Sequence, residues 1–345
     1  MDLESSLIPI ENYHNESGFD CLIVAISPEE RCIYSFDRIM KSIPIKKCIV
    51  VAFSDLNDEN SDDLKNWFYS DEISIDQSTL IQWRKNYTSI IEYFKNNNIK
   101  NLIIERNSAC LSEIVDTIVA RLDNADKIIF DTSCFPKNFI LEIMRWIPQE
   151  KITCVYTRAI HDSNSDHHSI GVKSVGPLPG FEGDIRTRNN FLVVLLGFEG
   201  YRSLSLLDYN EPHSVLALIG DPNGNESEGY ITQAKENNHL FLDHYMISQA
   251  IIPSISHPKR IAESIESSIS NFFNDAEDRN FNDFNIYASV LGTKIQSIGL
   301  FLFWLKHKNV QLIYPNPSKR RIGTGTTGTT FIFQITKPNC MEETP

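Results

Sequence analysis

Gly292-Thr293-Lys294 is the sharpest chemical signal in this 345-residue chain. It stands between an apolar run and a helical pattern, so it reads as a strand-to-helix turn. Glycine admits a close backbone approach, threonine caps a helix and offers a hydroxyl, and lysine brings a point charge to a phosphate. A helix N-terminus favours anions because its first N–H groups lack intrahelical partners and the dipole is positive there. The GxxxxGK[ST] spacing of a Walker loop is absent, which argues against ATP hydrolysis of that type. A bland reading stands beside the phosphate one: Gly292 relieves the turn and Lys294 is solvated.

Three further turns carry polar residues of the same kind. Ser27, Glu29 and Arg31 follow one apolar run, and Gly197, Glu199 and Arg202 follow another. Each arginine suits a phosphate clamp or a stacked base, and each glutamate suits a ribose or base edge. Equally, each pair could be an exposed first-turn ion pair worth a few tenths of a kcal/mol. Thr132 and Ser133 occupy the turn that corresponds to Gly292–Lys294, with Lys137 one residue off register. The remaining clusters are weaker. His161, Asp162, Asp166, His167 and His168 have metal-ligand chemistry, but their spacing matches no zinc site and their surroundings read as linker. Lys319-Arg320-Arg321 reads as a solvated turn, and the glycine- and threonine-rich run at 323–330 lacks a following helix. Cys134 reads as a buried structural thiol near a helix start.

These turns are positioned by a unit that the chain contains twice. Residues 127–157 align without a gap on residues 285–315, with Trp146 over Trp304 and Tyr156 over Tyr314. Upstream, residues 22–31 match 192–202 with Glu29 over Glu199, and residues 48–55 match 215–221. Each copy alternates strand and helix, which predicts a parallel sheet with helices on both faces. In such sheets ligands bind outside the carboxyl ends of the strands, where strand order reverses. The first copy predicts helices over about 29–40, 111–122 and 137–146, with strands over 22–26, 48–53, 102–104, 128–130 and 152–156. A longer insertion precedes the last two core strands of the second copy. The runs at 310–317 and 329–335 predict a hairpin with a basic, glycine-rich tip. The fold class is therefore α/β: two tandem Rossmann-like units related by a pseudo-two-fold. The units span 1–160 and 188–338, joined by a linker or short hairpin at 161–187 and followed by a disordered tail at 339–345.

A net charge of -13 disfavours strong duplex DNA binding and anionic membranes, although a local cation can still hold a small anion. Seven cysteines without a CxxC pair fit a reduced, cytoplasmic protein. The first residues resemble no signal peptide, and no apolar stretch is long enough to span a bilayer. No pattern calls for a cofactor or a metal.

The strand, the Gly292-Thr293-Lys294 turn, the helical IQSIGLFLF and the strand VQLIY together resemble the CRISPR-associated Rossmann fold (CARF) domains and their tandem relatives, the SAVED sensors. The resemblance covers most of both copies in topology and is specific only at that turn; the first copy departs from it with DTSCFPK. It implies a nucleotide second messenger, a cyclic or linear oligonucleotide, bound between the copies in prokaryotic antiviral defence. The implied ligand contacts are Ser27, Glu29, Arg31, Thr132, Ser133, Gly197, Glu199, Arg202, Gly292, Thr293 and Lys294. CARF proteins usually carry an effector such as a nuclease. None is recognisable here, so a protein partner is implied, or cleavage of the ligand by the sensor itself. The competing expectations are a nucleotide hydrolase or transferase with Glu29 or Glu199 as base or nucleophile, and a non-catalytic subunit of a defence complex.

Overall fold

The computed structural model describes residues 2–15, 17–53, 77–106, 110–122, 124–160, 171–186, 188–223, 226–244, 247–274, 281–318 and 326–335. The chain first lays down β1 (Ile8–Pro9), β2 (Phe19–Ile26), α1 (Glu30–Ser42), β3 (Ile45–Phe53), α2 (Gln77–Asn96), β4 (Lys100–Arg106), α3 (Leu111–Leu122), β5 (Ile128–Asp131), α4 (Lys137–Trp146) and β6 (Ile152–Ile160). It continues through β7 (Ser174–Pro177), β8 (Asn189–Leu195), α5 (Gly200–Asn210), β9 (Ser214–Asp221), α6 (Ser227–Asn237), the short α7 (His239–Leu242) and β10 (Ile247–Pro253). Then come α8 (Pro258–Asn274), β11 (Phe284–Val290), α9 (Lys294–Lys306), β12 (Gln311–Asn316) and β13 (Thr326–Gln334). The chain divides into two compact units, one of residues 1–167 with 319–336, the other of residues 168–318 with 337–345.

Both units are mixed α/β, each with a mostly parallel sheet flanked by helices, as the alternating pattern predicts. The first sheet runs β1-β13-β6-β5-β2-β3-β4 and the second β10-β9-β8-β11-β12-β7. Within them, β4-β3-β2-β5-β6 and β10-β9-β8-β11-β12 are parallel and share one order, so the repeated sequence is a repeated topology. The central strands are apolar throughout because both faces are covered: Leu22–Ile26 in β2 and Phe191–Leu195 in β8 are all buried. In the second unit one face packs against α5, α6 and α7 through Leu206, Ala234 and Phe241. On its other face Phe191 meets Phe272 and Phe273 of α8 at ring distances of 4.8 and 5.0 Å. There α8 and α9 cross closely: a Cβ on Gly299 would lie 2.5 Å from Ile261 Cγ2.

Two expectations change. The predicted hairpin over 310–335 does not form, because β7 from the expected linker takes the edge beside β12, with Tyr314 opposite Gly176. β13 instead runs antiparallel to β6, with Phe331 opposite Tyr156, and β1 adds to its far side. The first unit therefore takes residues 319–336, which the sequence pattern had placed in the second. Thr157 Oγ1 and Thr330 Oγ1 meet at 2.8 Å across that join. The second difference is content: α2 and the α6, α7, β10, α8 insertion complete the crossovers, none of which the sequence pattern separates into elements.

Candidate functional site

In both sheets strand order reverses beside the first core strand: between β2 and β5, and between β8 and β11. The turns singled out by residue type all lie at the carboxyl ends of these four strands, where an open parallel sheet binds ligands.

In the second unit the two turns touch. A Cβ on Gly197 would lie 2.1 Å from the carbonyl oxygen of Leu291, so only glycine lets the turn after β8 touch the turn after β11. The Leu291 and Gly292 amides both donate to Leu195 O, at 2.8 and 3.1 Å. Thr293 caps α9: the Gln296 amide donates to Thr293 Oγ1 at 3.2 Å, while the Thr293 amide donates to Gln296 Oε1 at 2.8 Å. Thr293 Oγ1 also donates to Ser254 O at 2.8 Å. Gln296 is fully buried, and its Oε1 would lie 2.0 Å from a Cβ on Gly292. The expected phosphate contact from the amide near Thr293 is thus replaced by Gln296, whose amide oxygen stands where an anion's oxygen would. Lys294, partly buried at the first position of α9, is the cation this turn presents.

Both glutamate–arginine pairs form, but largely buried and not as exposed surface pairs. In the second unit Arg202 is 3% exposed, ion-paired with Glu199, and donates through Nε and Nη2 to Pro315 O at 2.9 and 2.7 Å. Its guanidinium lies 4.9 Å from the Tyr314 ring centroid. Burial alone would lower its pKa, but Tyr314 and Glu199 outweigh that and raise it. The first unit repeats the device: Arg31 pairs with Glu29, and its pKa is raised by Glu29 against burial, with smaller contributions from Cys134 and Tyr156. Tyr314 is thus the third member of a cluster that ties α5 to the last core strand of the second unit, and Tyr156 is its counterpart in the repeat. Arg31 and Arg202 are corrected from ligand clamps to internal ties, because their charges are neutralised inside the protein. Glu29 and Glu199 are the other halves of these pairs.

Thr132 and Ser133 are also corrected. Both are fully buried: Thr132 Oγ1 donates to Val155 O at 2.9 Å, and Ser133 Oγ accepts from the Thr157 amide at 2.8 Å and meets Ser35 Oγ at 3.3 Å. They brace the turn after β5 and do not face a ligand. Ser27, 8% exposed, accepts from the Glu29 amide at 3.1 Å and so shapes the turn after β2. Cys134 is half-buried, packs against the core containing Cys32, and hydrogen-bonds that thiol, which with burial pushes the Cys32 pKa well up. Among the described residues the cysteines are unpaired and no cluster of His, Cys, Asp or Glu could hold a metal. The histidines at 161, 167 and 168 and the basic run at 319–321 lie outside the described residues. No described helix is long and apolar enough to cross a membrane.

Residue pattern did not mark a hollow of about 500 Å³ at the opposite, amino edge of the second sheet. It is lined by Asp184, Arg188, Phe281, Phe284, His307 and Asn309. Burial lowers the His307 pKa, with Glu266 opposing. Nor did it mark two buried asparagines, Asn86 and Asn238, each 1% exposed. Asn86 had a readable signal: it interrupts an apolar helix face made by Trp83, Ile90 and Phe94.

No protein-family model matches the chain, and no curated protein sequence matches it. Among solved structures it is similar to a type III CRISPR defence DNA nuclease activated by cyclic oligoadenylate, at 7% identity and a TM-score of 0.48. That match covers 82% of this chain and 63% of the nuclease, so the chain spans less than two thirds of the nuclease's length. A likeness at that score carries no weight for the function of this chain.

Proposed function

We propose that this chain senses a phosphorylated nucleotide second messenger, a cyclic or linear oligonucleotide, in prokaryotic antiviral defence, and acts through a partner protein. The observation that carries the reading is the switch point of the second sheet. There two turns meet backbone to backbone at Gly197 and Leu291, and α9 presents Lys294 beside them. Support comes also from the repeated strand order, which sets a second switch point of the same design in the first unit. Lys294 meets a phosphate, while Gly197, Gly292 and Thr293 give the turn its shape. Ser27 does the same after β2.

Thermal melting with cyclic tetra-adenylate, cyclic hexa-adenylate and linear oligoadenylates tests this. A ligand at a hundredfold its dissociation constant stabilises by about 2.7 kcal/mol, which raises the melting temperature by several degrees. The rise is expected in the wild type and lost in Lys294→Ala. If no nucleotide stabilises the wild type, the sensor reading fails. Mass spectrometry of the recovered nucleotide separates the alternatives: intact ligand supports sensing, whereas turnover abolished by Glu199→Gln would make the chain a nucleotide hydrolase. Co-purification of a neighbour-encoded protein without any nucleotide would make it a structural subunit.

A further inference from the structure

The two buried asparagines make the same bond in the two units from dissimilar surroundings. Asn86 Nδ2 donates to Ser27 O at 2.7 Å and to Glu29 O at 3.3 Å, while its Oδ1 accepts from Gln82 Nε2 at 2.8 Å. Asn238 Nδ2 donates to Gly197 O at 2.7 Å and to Ala234 O at 2.8 Å, while its Oδ1 accepts from Ser203 Oγ at 2.6 Å. Ser27 and Gly197 are the same position of the repeat, the first residue of the turn after the first core strand. The amide orientation is fixed in both, since a flipped amide would set oxygen against two carbonyls. Asn86 sits within α2, between β3 and β4; Asn238 sits at the α6–α7 junction, between β9 and β10. These are corresponding crossovers of the two sheets, yet Asn86 lies inside one long helix and Asn238 at the break between two short ones. The helices have diverged while the bond to the turn has not.

A buried asparagine on a core-facing helix is costly unless its hydrogen bonds are made, and a leucine would fill such a site without that demand. We propose that Asn86 and Asn238 are positioning residues: each pins the carbonyl that follows the first core strand, so that the turn faces the switch-point crevice in one shape before any ligand arrives. This rests on the sensor reading for what the turn is shaped to meet, but the pinning itself is a property of the ligand-free protein. A pinned turn spares the ligand the cost of ordering it.

The test compares Asn238→Ala and Asn86→Ala with Asn285→Ala in the full chain. Asn285 is an apt control because it is equally buried and donates to Arg186 O at 2.8 Å and Arg188 O at 3.3 Å, but it lies at the amino end of β11. Amide hydrogen exchange of the free protein is measured over residues 197–203 and 27–32. Asn238→Ala is expected to speed exchange about tenfold in the first segment only, and Asn86→Ala in the second only. Asn285→Ala is expected to lower the melting temperature comparably and leave both segments unchanged. Equal loosening by Asn285→Ala, or no loosening by either of the other two, overturns the pinning whether or not a nucleotide binds. Where cyclic tetra-adenylate stabilises the wild type, Asn238→Ala should shrink that shift and Asn285→Ala should preserve it. An undiminished shift in Asn238→Ala overturns the positioning role while leaving the sensor reading intact. Should Asn238→Ala fail to fold, Asn86→Ala decides the question in the other unit.

Discussion

Replacing Gly197 by alanine should damage the second unit out of proportion to the single methyl added. The new Cβ would lie 2.1 Å from Leu291 O, where ordinary contact begins at 3.4 Å, so 3.4 − 2.1 = 1.3 Å must be found. Neither side can yield it cheaply. Leu291 is held by its amide bond of 2.8 Å to Leu195 O, and β11 is registered on β8 up to Val290 opposite Leu195. The Gly197 carbonyl is held by Asn238 at 2.7 Å. Overpacking of a fixed site costs about 1–3 kcal/mol, and with both backbones fixed the expected loss is at the upper end, about 3 kcal/mol. For a domain of this size that lowers the melting temperature by roughly 6–12 °C. Gly229→Ala is the matched control, because a Cβ there meets nothing within 4 Å and the residue lies in α6, where alanine is the better helix former by up to about 1 kcal/mol. Urea and thermal unfolding of both variants read the difference. If Gly197→Ala unfolds at the same midpoint as Gly229→Ala, the two turns do not touch, and the crevice on which the functional reading stands is wrongly drawn.

Three other outcomes follow from the same geometry. Arg202→Ala strands Glu199 and Pro315 O inside the protein and should cost about 3–5 kcal/mol in urea unfolding, with Arg202→Lys recovering little because one ammonium cannot replace two fork bonds. Thr293→Ala removes the α9 cap and should cost about 1–2 kcal/mol in the same assay. His307 has a pKa lowered chiefly by burial, so the unfolded chain takes up its proton first; the stability His307 gives is fully present above a pH of about 6.5 and is lost as pH falls through the lower folded value. Urea midpoints measured from pH 8 to pH 5 should fall less steeply in His307→Gln than in the wild type.

Hydrophobic patterning carried the architecture because the central strands are covered on both faces: Leu22–Ile26 in β2 and Phe191–Leu195 in β8 are unbroken apolar runs, and α3 and α4 span the expected stretches near 111–122 and 137–146. Edge strands escaped. β7 has the composition of a linker, SVGP, and β13 could equally have paired with β12; which edge it joins depends on β7 having already taken that place. At the site, residue type placed every turn at the correct end of its sheet but misassigned several side chains. A glutamate and an arginine two or three residues apart look the same whether they point outward or lock inward. The decision lies with Tyr156 and Tyr314, more than a hundred residues away in each case. Asn238 gave no sign, since a polar pair after a helix resembles an ordinary C-terminus.

The weight carried by Lys294 follows from what packing already explains. Gly292 is required by Gln296, which would stand 2.0 Å from a Cβ there, and Thr293 is required by the helix it caps. Both would persist in a protein that never met a nucleotide, so neither supports a ligand. The same holds for Arg202, Thr132 and Ser133, whose hydrogen bonds are made within the fold. Lys294 stands at the head of a thirteen-residue helix, at the strand-order reversal of the second sheet. A lysine at a helix N-terminus opposes the dipole and is a poor choice for stability alone, by about 0.3–1 kcal/mol. Lys294→Glu should abolish any nucleotide-induced thermal shift, because it replaces the cation at this turn with an anion. A variant that keeps the shift would show that Lys294 does not hold the anion.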